Sequence, residues 1–191
     1  MKGKRVFERH QITFGAEYRE YMRDLYQNVD LNPYTLTVAP IDSSHRNWGV
    51  FANSEIALFR TNLSLHAGAR YDGFSAFDPA FNPRAALIGK PFRATTLKAL
   101  YGQAYRTPNV YEAAYNGTAQ SAPGPVPKPE TIRTYELAWE QALGPHFKAS
   151  VGAYWNQIDD LISRERDVNT GLPWVVNHGS VAGRGAEFEV E

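Results

Sequence analysis

The 191-residue sequence contains no cysteine. Disulfide frameworks, thiolate zinc sites and cysteine nucleophiles are excluded together. It carries no net charge, with 20 Lys+Arg against 20 Asp+Glu, so nothing suggests a nucleic-acid partner and none is expected. Long apolar runs are also missing: nothing approaches the roughly 18 residues of a transmembrane helix. The opening MKGKR is basic enough to start a signal peptide, but VFERH follows it with no apolar stretch. A cytosolic protein starts this way, and so does a piece of a longer secreted one.

Aromatic residues, by contrast, are abundant: they make up 13%, with eleven Tyr and four Trp, within an apolar content of 43%. That is enough for a sizeable core in one or two domains. The mean hydropathy is that of an ordinary soluble protein. Transmembrane barrels share that property, because half of each strand faces a wet lumen.

Strict alternation of apolar and polar residues recurs along the sequence. In LSLHAGARYD (63–72), Leu63, Leu65, Ala67, Ala69 and Tyr71 share one face, opposite Ser64, His66, Gly68, Arg70 and Asp72. FKASVGAYWN (147–156) sets Phe147, Ala149, Val151, Ala153 and Trp155 against Lys148, Ser150, Gly152, Tyr154 and Asn156. Residues 134–141 set Tyr135, Leu137 and Trp139 against Thr134, Glu136 and Glu140. The first such segment sets Ile12, Phe14, Ala16 and Tyr18 against Thr13, Gly15, Glu17 and Arg19, and the last sets Ala186, Phe188 and Val190 against Glu187, Glu189 and Glu191. A helix would spread these apolar residues all round its surface, so the segments are strands. With three more near 48–58, 84–89 and 97–106 they number about eight.

Small residues fill the middle of the apolar face, while Tyr18, Trp48, Tyr71, Tyr105, Tyr135 and Trp155 stand near strand ends. Aromatic girdles at a lipid–water boundary give that arrangement, and so does a soluble sandwich with aromatics in its core. A ten-residue strand, roughly 33 Å long, tilted by about 40°, stands roughly 25 Å tall, the height of an outer-membrane apolar band. The connections sort by length: 25–46, 75–82, 107–130 and 167–173 read as long, whereas 59–62, 90–93 and the Gly144-Pro145 turn read as short. A membrane barrel sorts its connections this way, with short periplasmic turns on one rim and long outer loops on the other.

The ordered phrases ITFGAEYRE (12–20), WGVFANSEIAL (48–58), LSLHAGARYD (63–72), NPRAAL (82–87), TLKALYGQAYRTPNVYE (96–112), KPETIRTYELAWEQ (128–141), ASVGAYWNQIDDLI (149–162) and GRGAEFEVE (183–191) resemble the barrel of TonB-dependent outer-membrane receptors. The resemblance covers nearly the whole chain. It implies an all-β, antiparallel, up-and-down curved sheet that is part of a 22-stranded transmembrane barrel. It also implies a bacterial outer-membrane location, with outer-membrane lipid as a partner. In the intact parent it implies a plug domain, a TonB protein that couples energy, and an imported ligand of the ferric siderophore, haem or cobalamin class. Residues 1–191 then form one partial barrel domain. The sequence departs from the full pattern in lacking a signal peptide, a plug, a TonB box and a terminal strand ending in an aromatic residue, so a fragment is expected. The alternative from another class is a soluble all-β ligand- or glycan-binding module.

The residues point to no enzyme and no cofactor. His10, His45, His66, His146 and His178 are scattered, with no pair at metal-ligand spacing. Asp159 and Asp160 are adjacent and therefore alternate across a strand, and Gly183-Arg184-Gly185 has no helix after it to make a dinucleotide loop. Glu17, Arg19, Arg70, Lys98, Glu136, Glu140, Lys148 and Glu187 fall on the polar face, where a solvated lumen wall with cross-strand charge pairs is expected. The proline-rich run 123–129 stiffens a long outer loop. Arg106, Tyr111 and Tyr115 flank that loop and are the candidate ligand-contacting residues.

Overall fold

The computed structural model describes residues 2–7, 10–31, 34–58, 62–118 and 121–191, with backbone alone for 2–7, 26–31 and 34–41. They form a single antiparallel sheet whose strand order follows chain order: β1 (Lys2–Phe7), β2 (His10–Leu31), β3 (Tyr34–Leu58), β4 (Leu63–Phe74), β5 (Ala80–Phe92), β6 (Thr95–Arg106), β7 (Glu130–Ala142), β8 (Lys148–Arg166) and β9 (Pro173–Val190). One short helix, α1 (Val110–Ala114), lies between β6 and β7. The strands number nine; the additional one is β1, in the basic segment KGKRVF, which carries no alternation to reveal it. Among the described residues β1 and β9 do not pair, so the sheet is open.

Register confirms the two faces. One row runs Leu65, Leu87, Ala99, Leu137, Ala153, Ala186 across β4 to β9, and the next runs Leu63, Gly89, Leu97, Trp139, Val151, Phe188. No described residue covers them: Leu137 is 65% exposed and Phe188 71%. Apart from Pro108 and Pro127, the buried apolar side chains among those described are Tyr115, Ala122, Ala149, Ile162 and Val175, and three of these cluster by the long connection rather than under the sheet. A soluble sandwich would bury this face against a second layer. Among the described residues, none forms a protein layer on the apolar side of the sheet.

A row of contacting rings bounds the apolar band. Tyr101 and Tyr135 have centroids 5.0 Å apart, and Tyr135 and Trp155 lie 5.3 Å apart. Two residues further along β7 and four along β8, alternation brings Arg133 and Asp159 to the same face, where they pair at 3.0 Å. The band therefore ends at the rings. The row passes through Ala85, Ala67 and Ser54 on β5, β4 and β3; Trp48 and Tyr71, at 5.6 Å, form a separate ring pair four to six residues further along those strands. Tyr105 departs from it and packs edge-on against Phe74 at 5.4 Å. The β5–β6 ladder runs from Arg84↔Gly102 toward the short-turn end and does not continue past Pro83, which has no N–H to offer.

The connections differ from the sequence expectation in an informative way. Residues 25–46 are not a wandering loop: β2 and β3 stay paired as far as Leu31↔Tyr34, with register shifts near 21–29. Segments 20–31 and 34–46 thus continue past the end of β4 by roughly 40 Å at about 3.3 Å per residue. In the same way β8 and β9 run on past β7 to Arg166↔Pro173. The connections shrink to 75–79 and 167–172, and only 107–129 is a long excursion. On the other rim, β5 and β6 are joined through residues 93 and 94, and β7 and β8 through 143–147, where Gly144 takes the left-handed φ of 81°. The expected short turn at 59–62 lies mostly outside the described residues. Asymmetry between the rims therefore survives, but most of it comes from overhanging paired strands.

Candidate functional site

The polar face is built from straps and gaps. Arg70 on β4 bonds Asp72 through Nε at 2.8 Å and reaches across β3 to Glu17 on β2 at 3.4 Å. It can do so because Gly49 stands between them; a Cβ there would strike both the guanidinium and Asp72. Arg84 on β5 likewise passes over Gly68 on β4 to Asn53 on β3, with donor distances of 3.0 and 2.7 Å. Lys98 pairs with Glu140 near the short-turn rim. The cross-strand pairing expected for a lumen wall is thus present at Glu17, Arg70, Lys98 and Glu140.

The long connection 107–129 folds onto the β8–β9 overhang. Asn109 caps α1 reciprocally: its Oδ1 accepts from Glu112 N at 2.8 Å, and Glu112 Oε2 accepts from Asn109 N at 2.9 Å. Asn116 then acts as a surrogate strand residue against Val175, its Oδ1 accepting from Val175 N at 2.7 Å and its Nδ2 donating to Val175 O at 2.6 Å and to Pro125 O at 3.0 Å. Ala122 N donates to Pro173 O, and Asn177 bonds both backbone groups of Lys128. Beneath these, Tyr115 packs with Ile162 and Val175, and Tyr111 packs against that cluster.

The three candidate ligand residues come together here, but in different roles. Arg106 is held between Glu112 at 2.8 Å and Glu130 at 2.7 Å, tying α1 to the ends of β6 and β7. Tyr115 is buried, with its hydroxyl accepting from Arg164 at 2.9 Å and its ring under that guanidinium at 5.1 Å. Tyr111 packs at a tilt against Tyr115, with ring centroids 4.7 Å apart, and also borders open space.

That space is a cavity of about 710 Å³ inside the long-loop rim, which the sequence did not disclose. Its walls come from the β2–β3 overhang, the 75–79 turn and α1, which touches both β2 and β3. Tyr21 and His45, register partners on the overhang, stack at 4.3 Å and 17°. Phe74 and Phe77 complete an aromatic lining. Two polar residues named from sequence lie elsewhere. Asp159 pairs with Arg133, and Asp160 takes a left-handed φ of 55° next to the last β7–β8 pair, Thr131↔Asp159. His66 lies 3.7 Å from Glu55 and His178 2.7 Å from Glu165. Among the described residues, no three His, Asp or Glu are placed to hold a metal ion.

The family described as TonB dependent receptor-like, beta-barrel matches residues 3–191. Among solved structures, the ferric enterobactin receptor PfeA of Pseudomonas aeruginosa, as a mutant in complex with enterobactin, superposes with a TM-score of 0.79 at 19% identity, covering 98% of this chain and 32% of that one. The FrpB iron transporter of Neisseria meningitidis gives 0.72 at 17% identity, covering 99% and 31%. The siderophore receptor PirA of Acinetobacter baumannii gives 0.72 at 18%, covering 99% and 33%. No curated protein matches the sequence. The chain spans about a third of the length of these solved structures, and at such identities they speak to the fold alone. With the profile match running from residue 3 to residue 191, the chain belongs to the TonB-dependent receptor β-barrel family.

Proposed function

We propose that this chain forms part of the wall of a bacterial outer-membrane receptor that imports a scarce nutrient, a ferric siderophore, haem or cobalamin, with energy delivered through a TonB protein. The observation that carries the reading is the uncovered apolar band of β4 to β9, closed at one edge by the Tyr101–Tyr135–Trp155 rings. Hydrocarbon is the solvent that such a face requires, and the open edges at β1 and β9 require further strands to satisfy their backbone groups in lipid. The polar face with its charge pairs then lines a lumen, which a plug domain occupies in the complete receptor. Family membership supports the same reading, since its members are receptors and transporters rather than enzymes.

In this arrangement short turns stand in the periplasm. The β2–β3 and β8–β9 overhangs and the docked 107–129 segment project outside, where Arg106, Tyr111 and Tyr115 shape the ligand-facing rim. Import is tested by uptake of radioiron-loaded chelates into cells with and without the full-length receptor. The reading predicts receptor-dependent uptake that a protonophore abolishes. Uptake that survives collapse of the proton-motive force contradicts it.

A further inference from the structure

The rim cavity has a charge character that bears on what enters it. Its lining is aromatic, from Tyr21, His45, Phe74, Phe77 and Tyr111, and Asp24 is its one formally charged side chain among the described residues. The arginines nearest to it along the chain are already neutralised. Arg23 pairs with Asp42 at 3.0 Å, Arg46 with Glu20 at 3.1 Å, and Arg106 with both Glu112 and Glu130. Among the described residues, no lysine or arginine lines the cavity to compensate an anion. A polyanion moving from water into this space would give up hydration and meet Asp24 instead of a guanidinium.

Taking the import reading above as given, we infer that this wall selects an uncharged or cationic ligand with flat or apolar surface, and turns away polyanionic chelates. Ring faces stack on apolar ligand surface and attract cations through their quadrupoles. Asp24 adds a counter-charge for a ligand ammonium group. The size of about 710 Å³ suits a small molecule held by a few polar groups on an apolar wall. Selection by charge is also economical in chemistry. Hydroxamate groups, with one negative charge each, neutralise ferric iron in their complexes, whereas catecholates, with two each, leave the complex strongly anionic.

The test uses the purified full-length receptor carrying this segment. It is titrated by tryptophan fluorescence with a ferric trihydroxamate and with a ferric tricatecholate. The trihydroxamate is expected to bind at least about tenfold more tightly. Asp24→Lys should shrink or invert that ratio by about tenfold, and Asp24→Asn should move it part of the way. Tyr21→Ala should weaken the trihydroxamate by about tenfold, while heat-modifiable gel mobility shows the barrel intact. Tighter binding of the tricatecholate overturns the inference, as does a ratio indifferent to Asp24→Lys when both chelates bind. If neither chelate binds and cells take up neither, the reading as a ferric-chelate importer falls as well, so the two failures are distinguishable.

Discussion

Replacing Asn116 with Ala should release the long connection from the β8–β9 overhang without disturbing the sheet. The side chain supplies three hydrogen bonds, two to the backbone of Val175 and one to Pro125 O, and Val175 is itself buried. A neutral hydrogen bond contributes about 0.5–1.5 kcal/mol net, and a buried group left unpaired costs about 1–3 kcal/mol. Water that enters on undocking relieves part of that cost. Together these put the loss at about 2–4 kcal/mol in the docking equilibrium, a factor of roughly 30 to 1,000 in opening. Hydrogen exchange followed by mass spectrometry on the full-length receptor reads it directly. The amides of Gly117 and Ala122, which bond Ala122 O and Pro173 O in the docked state, should lose about two decades of protection. Amides of β6 and β7 should keep theirs. Asn116→Asp retains the acceptor for Val175 N but loses both donations, so it should fall between. Unchanged protection at Gly117 and Ala122 in Asn116→Ala would refute the view that this side chain holds the connection down.

Face assignment predicts that Val151→Arg, in the apolar row between Trp139 and Phe188, costs about 2–4 kcal/mol in barrel stability, while Ser150→Arg on the lumen side is mild; equal folding defects in detergent unfolding titrations would show the faces reversed. Gly68→Val should dislodge the Arg84–Asn53 strap and lower the denaturation temperature, whereas Gly102→Val, where a Cβ meets nothing, should be tolerated; equal losses would refute the strap. At the 167–172 turn, the Thr170 hydroxyl and the Thr170 and Asn169 N–H groups bond Asp167 and hold its carboxyl below the usual carboxylate range. A depressed folded pKa stabilises the turn above the ordinary value of about 3.9 and loses that contribution as pH falls through the lowered one. Protease nicking of this turn should therefore increase on acidification below about pH 4 in the wild type but not in Asp167→Asn.

The parts of the fold legible in the sequence are those where the two sides of a strand meet different solvents. From 63 to 72 and from 147 to 156, one face meets lipid and the other a wet lumen, so period two is imprinted on the residues. Where β2 and β3 run past β4, the described side chains at 20–25 and 42–46 are exposed or half-buried on both faces. Pairing continues there through register shifts between 21 and 29, and Asn28, Asp30, Asn32-Pro33 and Ser43-Ser44 interrupt the alternation of 34–38, so 25–46 reads as loop although it is ladder. The β1 segment KGKRVF is silent because its six residues carry no alternation. The short turns expected at 90–93 and Gly144-Pro145 lie within two or three residues of the observed ones at 93–94 and 143–147, since Lys90 and Pro91 are turn-like in composition yet belong to β5. At the rim, the sequence singled out Arg106, Tyr111 and Tyr115 by their place beside a long loop. It could not show that Tyr115 is buried, since its partners Ile162 and Val175 lie far along the chain. Asn109 and Glu112 stand at capping-box spacing, a local signal that would have revealed α1. The cavity had no comparable signal, because Tyr21, His45, Phe77 and Tyr111 meet only once three separate connections are folded.

The central claim, that this sheet stands in an outer membrane with its overhanging rim outward, is tested most directly by surface accessibility. Epitope tags are inserted singly after Thr118, in the docked connection, and after Gly144, in the short β7–β8 turn of the full-length receptor. Antibody is then applied to intact and to permeabilised cells. The account predicts labelling of the Thr118 tag on intact cells and of the Gly144 tag only after permeabilisation. Labelling of the Gly144 tag on intact cells, with the Thr118 tag silent, would invert the barrel, and recovery of both tags in the soluble fraction would contradict the membrane reading itself.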